Sequence, residues 1–196
     1  MKFNLSEVND LIRSRRSIRP EQYTSRKVQK DQIELILKNA QWAPNHGGTQ
    51  PWRFQVYQSE AARQELSQAL GKLYLETTPQ KNQNDTKLAK LVRRPLISSV
   101  VIIVNMSRQP EERIPEIEEV EAVACAIQNM QLTATAYGIG SFWSSPKLIY
   151  SREMKNFLGL AEKDKCLGLI YLGYTKDEWP KSHRKPIEYH TTWKTQ

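Results

Sequence analysis

An α+β fold, with one sheet covered by helices on both faces, is what this chain predicts. Three observations support it. Residues 96–104 are almost continuously apolar through Ile97, Val100, Val101, Ile102, Ile103 and Val104, as a strand covered on both faces would be. Residues 30–42 set Ile33, Ile36, Leu37 and Ala40 at helical spacing. Helical and strand patterns then mix without a regular βαβ alternation, which argues for α+β connectivity.

In chain order, residues 5–15 form a short helix with Val8, Leu11 and Ile12 on one face, and an arginine cluster, 15–19, closes it before Pro20. The helix of residues 30–42 leads into Pro44, which blocks continuation, and then into Gly47 and Gly48. Residues 51–57 form a strand alternating Trp52, Phe54 and Val56, with Trp42 and Trp52 assigned to the core. Residues 60–74 form a helix with Leu66, Leu70 and Leu73 inward. Residues 76–94 are polar without a strong period, which leaves a helix pair and a lid both open. After the 96–104 strand and a charged loop at 108–115, residues 117–137 form a long helix. Its Ala122, Ala124, Ala126, Ala134 and Ala136 suit close packing at a centre or an interface, and Gly138 supplies its C-terminal stop. A short strand (140–143), a helix (151–158), a buried strand (166–172) and an extended basic tail (176–196) with Trp179, Tyr189 and Trp193 complete the chain.

The length of 196 residues fits one domain, 1–196, with a sizeable core. Hydrophobic content of 39% and charged content of 26% belong to a folded chain rather than a disordered one. No apolar run approaches the ~18–20 residues of a membrane span, and the first residues carry no apolar signal core, so a cytoplasmic location is expected. Cys125 and Cys166 make no CxxC pair and are expected as reduced core thiols. The formal charge of +8 admits a nucleic-acid partner, but the cations are dispersed and no aromatic–basic strand face, RNP, KH or helix-turn-helix pattern accompanies them. That reading is therefore the less favoured one.

Metal chemistry is not expected: His46, His183 and His190 are the only histidines, and there is no HExxH or Cys/His cluster. No GxSxG elbow or GxxxxGK[ST] loop exists, and the run from Gly138 to Trp143 lacks the third glycine of GxGxxG. What remains is two basic clusters, the loop of residues 43–54 and the turn Gly138-Ile139-Gly140-Ser141-Phe142-Trp143-Ser144-Ser145-Pro146. Guanidinium groups beside a serine suit a phosphate monoester, because each fork binds two oxygens. Asn45, His46, Thr49 and Gln50 suit the edge of a flat polar ring, and Trp143 with Ser144 and Ser145 offers a wall for the same ring. A phosphate joined to a flat polar heterocycle describes flavin mononucleotide (FMN).

These residues resemble the FMN-dependent nitroreductases, in particular the small bacterial ones. Arg15-Arg16-Ser17-Ile18-Arg19 is similar to that family's opening arginine–serine motif. Residues 40–54, containing Ala43-Pro44-Asn45-His46 and Gln50-Pro51-Trp52, resemble its AP…N/H…QPW signature. The turn at 138–143, the strand at 167–174 and the basic end Arg184-Lys185-Pro186 follow in the family's order, across about residues 11–189.

The resemblance implies a nitroreductase-like fold, a mixed and mainly antiparallel sheet, and an intertwined homodimer holding two flavins at its interface. Arg15, Arg16 and Ser17 would meet the phosphate and ribityl chain, with Arg184 or Lys185 closing on the phosphate. His46 and Gln50 would reach the ring of the partner subunit's flavin, and Trp143, Ser144 and Ser145 would flank it. NADH or NADPH would donate hydride, and a nitroaromatic, quinone or enone would accept it in a ping-pong cycle. No side chain need act as acid, base or nucleophile, since the cofactor carries the chemistry. Arg53 or Gln50 is the expected donor at the flavin N1/O2 edge. A flavin carrier or sensor without turnover is the alternative. The sequence does not separate NADH from NADPH.

Overall fold

The computed structural model describes residues 2–195. Its elements are α1 (Leu5–Ser14), α2 (Lys30–Ala40), β1 (Trp52–Tyr57), α3 (Glu60–Thr77), α4 (Asp85–Ile97), β2 (Val100–Met106), α5 (Glu116–Ala136), β3 (Gly140–Ser144), α6 (Arg152–Leu158) and β4 (Lys165–Gly173). The sheet runs β1–β2–β4–β3, with every neighbouring pair antiparallel. Its parallel component is a single bridge between Ser17 and Ser141, at the outer edge of β3.

β2 explains the layering. Val100, Ile102, Val104 and Met106 point into one apolar cluster, with Ile33, Ile36 and Ala40 of α2 and Ala122, Val123, Ala126, Ile127 and Met130 of α5. Val101 and Ile103 point into another, with Leu66, Leu70 and Leu73 of α3, Leu91 of α4 and Met154 and Leu158 of α6. Because side chains alternate along a strand, one continuous apolar run serves both faces.

The long helix α5 ends as expected. Gly138 takes φ 67°, its N–H reaches Thr135 O and the Ile139 N–H reaches Ala134 O, the paired bonds of a Schellman stop. Three expectations are corrected. Leu96 and Ile97 belong to the last turn of α4, and the strand starts at Val100. Only Ser98 and Ser99 separate the helix end from the strand, and an unbroken apolar run conceals such a boundary. Trp42 is 85% exposed rather than core. Cys125 is exposed on α5, whereas Cys166 is buried and burial pushes its thiol up to about 11.

The segment 76–94 resolves as a helix pair. The end of α3 and the start of α4 flank a 3-10 turn at Gln80–Asn82. Gly71 lets the two helices approach, since a Cβ there would lie 3.0 Å from Val92 Cγ2. Ser67 donates to Val92 O and the Asn84 N–H donates to Tyr74 Oη, which fixes the hairpin.

Candidate active site

At the β3 edge the structure brings Arg15, Arg16 and Ser17 together with the C-terminal tail. Arg15 follows the last residue of α1, and the Ile18 N–H donates to Ser141 O, which ties the segment to β3. Arg16 Nε donates to Pro180 O at 2.8 Å and so brings in the tail. Burial, then the nearby charges of Arg184 and Arg16, lower the pKa of Arg15. Arg184 therefore shares the field of the N-terminal pair, while Lys185 lies with its Nζ 5.7 Å from the Tyr189 ring. Among the described residues, none of Arg15, Arg16 and Arg184 forms an ion pair with a carboxylate. Like charges gathered without a counter-ion repel, so such a cluster favours an anion between them.

Trp143, Ser144 and Ser145 stand where β3 ends. Trp143 Nε1 donates to Leu167 O at 2.9 Å, so the indole lies across β4 with part of it exposed. Gly168 is what permits this. It has φ 140°, and a Cβ on it would come within 2.5 Å of Trp143 Nε1.

Beside Ser144 opens a cavity of about 900 Å³ between the α3–α4 hairpin and the segment after β3. Tyr171 forms part of its floor, its hydroxyl pKa pushed up by burial. Arg94 projects into it, 5.0 Å from the Phe142 ring centroid and 2.9 Å from Glu21 Oε1. Burial pushes the Glu21 carboxyl up most strongly of any single cause, but the Arg94 hydrogen bond, a backbone hydrogen bond and the charges of Arg94 and Lys90 together hold it below its usual range. Sequence reasoning missed Lys87, Lys90 and Arg94. Their signal was legible, because spacings of three and four residues put them on one side of α4.

His46 and Gln50 sit elsewhere, on the loop leading into β1. Gly47 and Gly48 take φ 61° and 67°, and Gln50 takes φ 44°, a left-handed conformation unusual for a side-chain-bearing residue. Asn45 Oδ1 accepts from the Gln50 N–H and Arg53 Nη1 donates to Gln50 O, holding that strain. Arg53 also donates to Trp52 O. His46 Nδ1 lies 2.5 Å from Glu118 Oε2, in the first turn of α5. Next to it, Arg108 and the buried Glu119 pair at 2.5 Å. Glu118, distant in sequence from the loop it anchors, gave no local signal.

Loop 45–50 enters β1 and the arginine cluster flanks β3, so the two groups occupy opposite edges of the sheet. Three strand spacings separate these edges, about 14 Å. No group of three or more His, Cys, Asp or Glu side chains that could hold a metal ion occurs among the described residues. None of their helices is long and apolar enough to cross a membrane.

The nitroreductase family profile matches residues 12–174. The chain belongs to the nitroreductase family. It is 31% identical over 184 residues to a Bacillus subtilis protein provisionally named NAD(P)H nitroreductase YfhC, covering 93% of this chain and 91% of that one. The crystal structure of a nitroreductase-like family protein from Bacillus cereus superposes with a TM-score of 0.83 at 28% identity, over the whole of both chains. A Desulfovibrio desulfuricans protein, provisionally named a nitroreductase and crystallised with FMN, superposes at 0.73 with 25% identity, over 100% of this chain and 99% of that one. The resemblance to the nitroreductases thus holds at the level of the family.

Proposed function

We propose that this nitroreductase is an FMN-dependent NAD(P)H oxidoreductase, acting as a homodimer with two flavins at the interface and reducing nitroaromatic, quinone or enone acceptors in a ping-pong cycle. The observation that carries the reading is the convergence of Arg15, Arg16 and Arg184 without a carboxylate. Planar forks in that arrangement fit a phosphate dianion. The cavity beside Ser144 fits the ring at the other end of such a cofactor; Trp143, bonded to Leu167 O, alternates with Ser144 along β3 and is not among the residues that line it. The residues present therefore suit FMN.

Bound flavin supplies the hydride chemistry. The chain positions it. Arg15, Arg16, Ser17 and Arg184 hold the phosphate end, and Ser144 and Ser145 offer hydroxyls at the ring. Arg94 lines the same cavity as Ser144, whereas Arg53, whose Nη1 donates to the carbonyls of Gln50 and Trp52, would reach the ring only from a second copy. Arg94, steadied by Glu21, would favour negative charge on the reduced ring.

His46 and Gln50 complete a site only in a second copy. The surface of α1 supports dimerisation, since no residue of this helix is buried. Phe3, Leu5, Val8 and Ile12 are exposed there, close in sequence to the arginine cluster. Trp42 and Tyr137 line a groove of about 500 Å³ with Leu11 and Leu35, and apolar surface of this kind marks an interface.

An absorbance spectrum of the purified protein, taken before and after anaerobic NADH or NADPH, tests the proposal. Flavin bands that bleach on addition support it. A colourless protein that takes up no added FMN rejects it, and bands that do not bleach leave the carrier or sensor in its place.

A further inference from the structure

We infer that the cavity beside Ser144 selects acceptors that are flat and negatively charged, an aromatic carboxylate being the simplest. This rests on the flavin reading above and names the substrate class of that site. A volume of about 900 Å³ lies at the upper end of small-molecule pockets, with room for a flat molecule beyond a ring edge at Ser144. Leu91, Leu148, Tyr74, Tyr150 and Tyr171 provide walls for an aromatic body. Every charged side chain lining it is basic: Lys87, Lys90, Arg94 and Lys147.

Those four cations are not equivalent. Arg94 has a partner in Glu21 at 2.9 Å. Lys87, Lys90 and Lys147 form no ion pair among the described residues, and they come from two separate segments, α4 and the turn Lys147–Tyr150. A neutral acceptor gains nothing from this field. A carboxylate on an aromatic body gains attraction at the rim while its ring enters the apolar part. Lysine is a compact point charge and suits a single carboxylate, whereas a dinucleotide's pyrophosphate is better matched by planar guanidinium forks.

The test compares two nitroarenes of nearly equal shape, 4-nitrobenzoate and 4-nitrobenzamide, on the flavin-loaded enzyme. Each turnover oxidises one NAD(P)H; the nitro group takes two electrons and two protons and leaves as the nitroso compound and water. The wild type is expected to favour 4-nitrobenzoate in kcat/KM by about tenfold at low salt, and the preference shrinks as salt rises. The triple variant Lys87→Gln, Lys90→Gln, Lys147→Gln abolishes that ratio, and the matching Lys→Glu variant inverts it. These lysines are exposed at the rim or on the helix surface, and flavin content with a thermal melt verifies that each variant is folded and loaded.

A wild type that reduces 4-nitrobenzamide equally well overturns the inference while leaving the flavin reading intact. So does a triple variant with an unchanged ratio, one whose only change is a higher KM for NADH or NADPH, or one that loses its flavin. A wild type that binds no flavin, or reduces neither compound, rejects the enzyme reading itself and this inference with it.

Discussion

The β3 edge and the β1 edge of this sheet treat charge in opposite ways. At β3, Arg15, Arg16 and Arg184 share one field without a carboxylate partner, and burial first, then those charges, lowers the Arg15 pKa. At β1, His46 is matched by Glu118, and Arg108 by Glu119 close by. The first edge carries positive charge that no carboxylate of the described residues neutralises. The second pairs His46 and Arg108 with carboxylates, leaves Arg53 on backbone carbonyls, and offers a shaped loop held in a left-handed backbone at Gln50. Strain of that kind is kept where surrounding bonds over-determine it, which is characteristic of working loops. An unbalanced edge suits cofactor affinity, and a balanced, rigid one suits fine positioning.

Substitutions at the two edges should therefore fail differently. The largest effect is expected from Arg15→Ala with Arg16→Ala, which should weaken FMN binding at least about 100-fold, since charge-assisted hydrogen bonds contribute about 1.5–3 kcal/mol each. Calorimetric titration with FMN measures it, and retained affinity would move the phosphate elsewhere. Next comes Val8→Glu with Ile12→Glu on the exposed face of α1. Size-exclusion with light scattering should show monomers whose flavin content falls although every arginine is intact. A monomer that keeps its full flavin would separate the two edges for good.

Smaller again is Gly168→Ala. A methyl group there meets the indole of Trp143, so a loss of about 1–3 kcal/mol in stability is expected, with a shift in tryptophan emission. The smallest is Glu118→Ala, which frees the His46 ring. It should lower kcat about five- to tenfold with little change in FMN affinity, and Glu118→Gln, which keeps an acceptor oxygen, should recover part of it. A drop in FMN affinity instead would place Glu118 at the balance of the whole fold rather than at His46.

Far more of the fold than of the site's composition was legible in the sequence. The apolar spacing of α2 and α3, the small residues of α5 and the glycine stop at Gly138 are local signals, and these elements read correctly. The run 96–104 misled because a helix end and a strand share its apolar character. Trp42 misled because a large aromatic carries no mark that separates a core position from an exposed one. The arginine–serine segment and the 43–54 loop were visible as motifs. Glu118 was not, because its role comes from tertiary proximity, and the α4 lysines showed helical spacing without the cavity that they line.

A subunit-mixing experiment tests the central claim, that each site joins the β3 edge of one copy to the β1 edge of another. Two parents are made, Arg15→Ala with Arg16→Ala, and His46→Ala with Gln50→Ala, each with reduced flavin-dependent turnover. After dissociation and random reassociation, half of the dimers are mixed. In a shared-edge dimer one of the two sites of each mixed pair is then wild type at all four positions, and about a quarter of all sites should regain activity. No recovery above the average of the two parents would mean that each flavin is held within a single chain, and would contradict the claim.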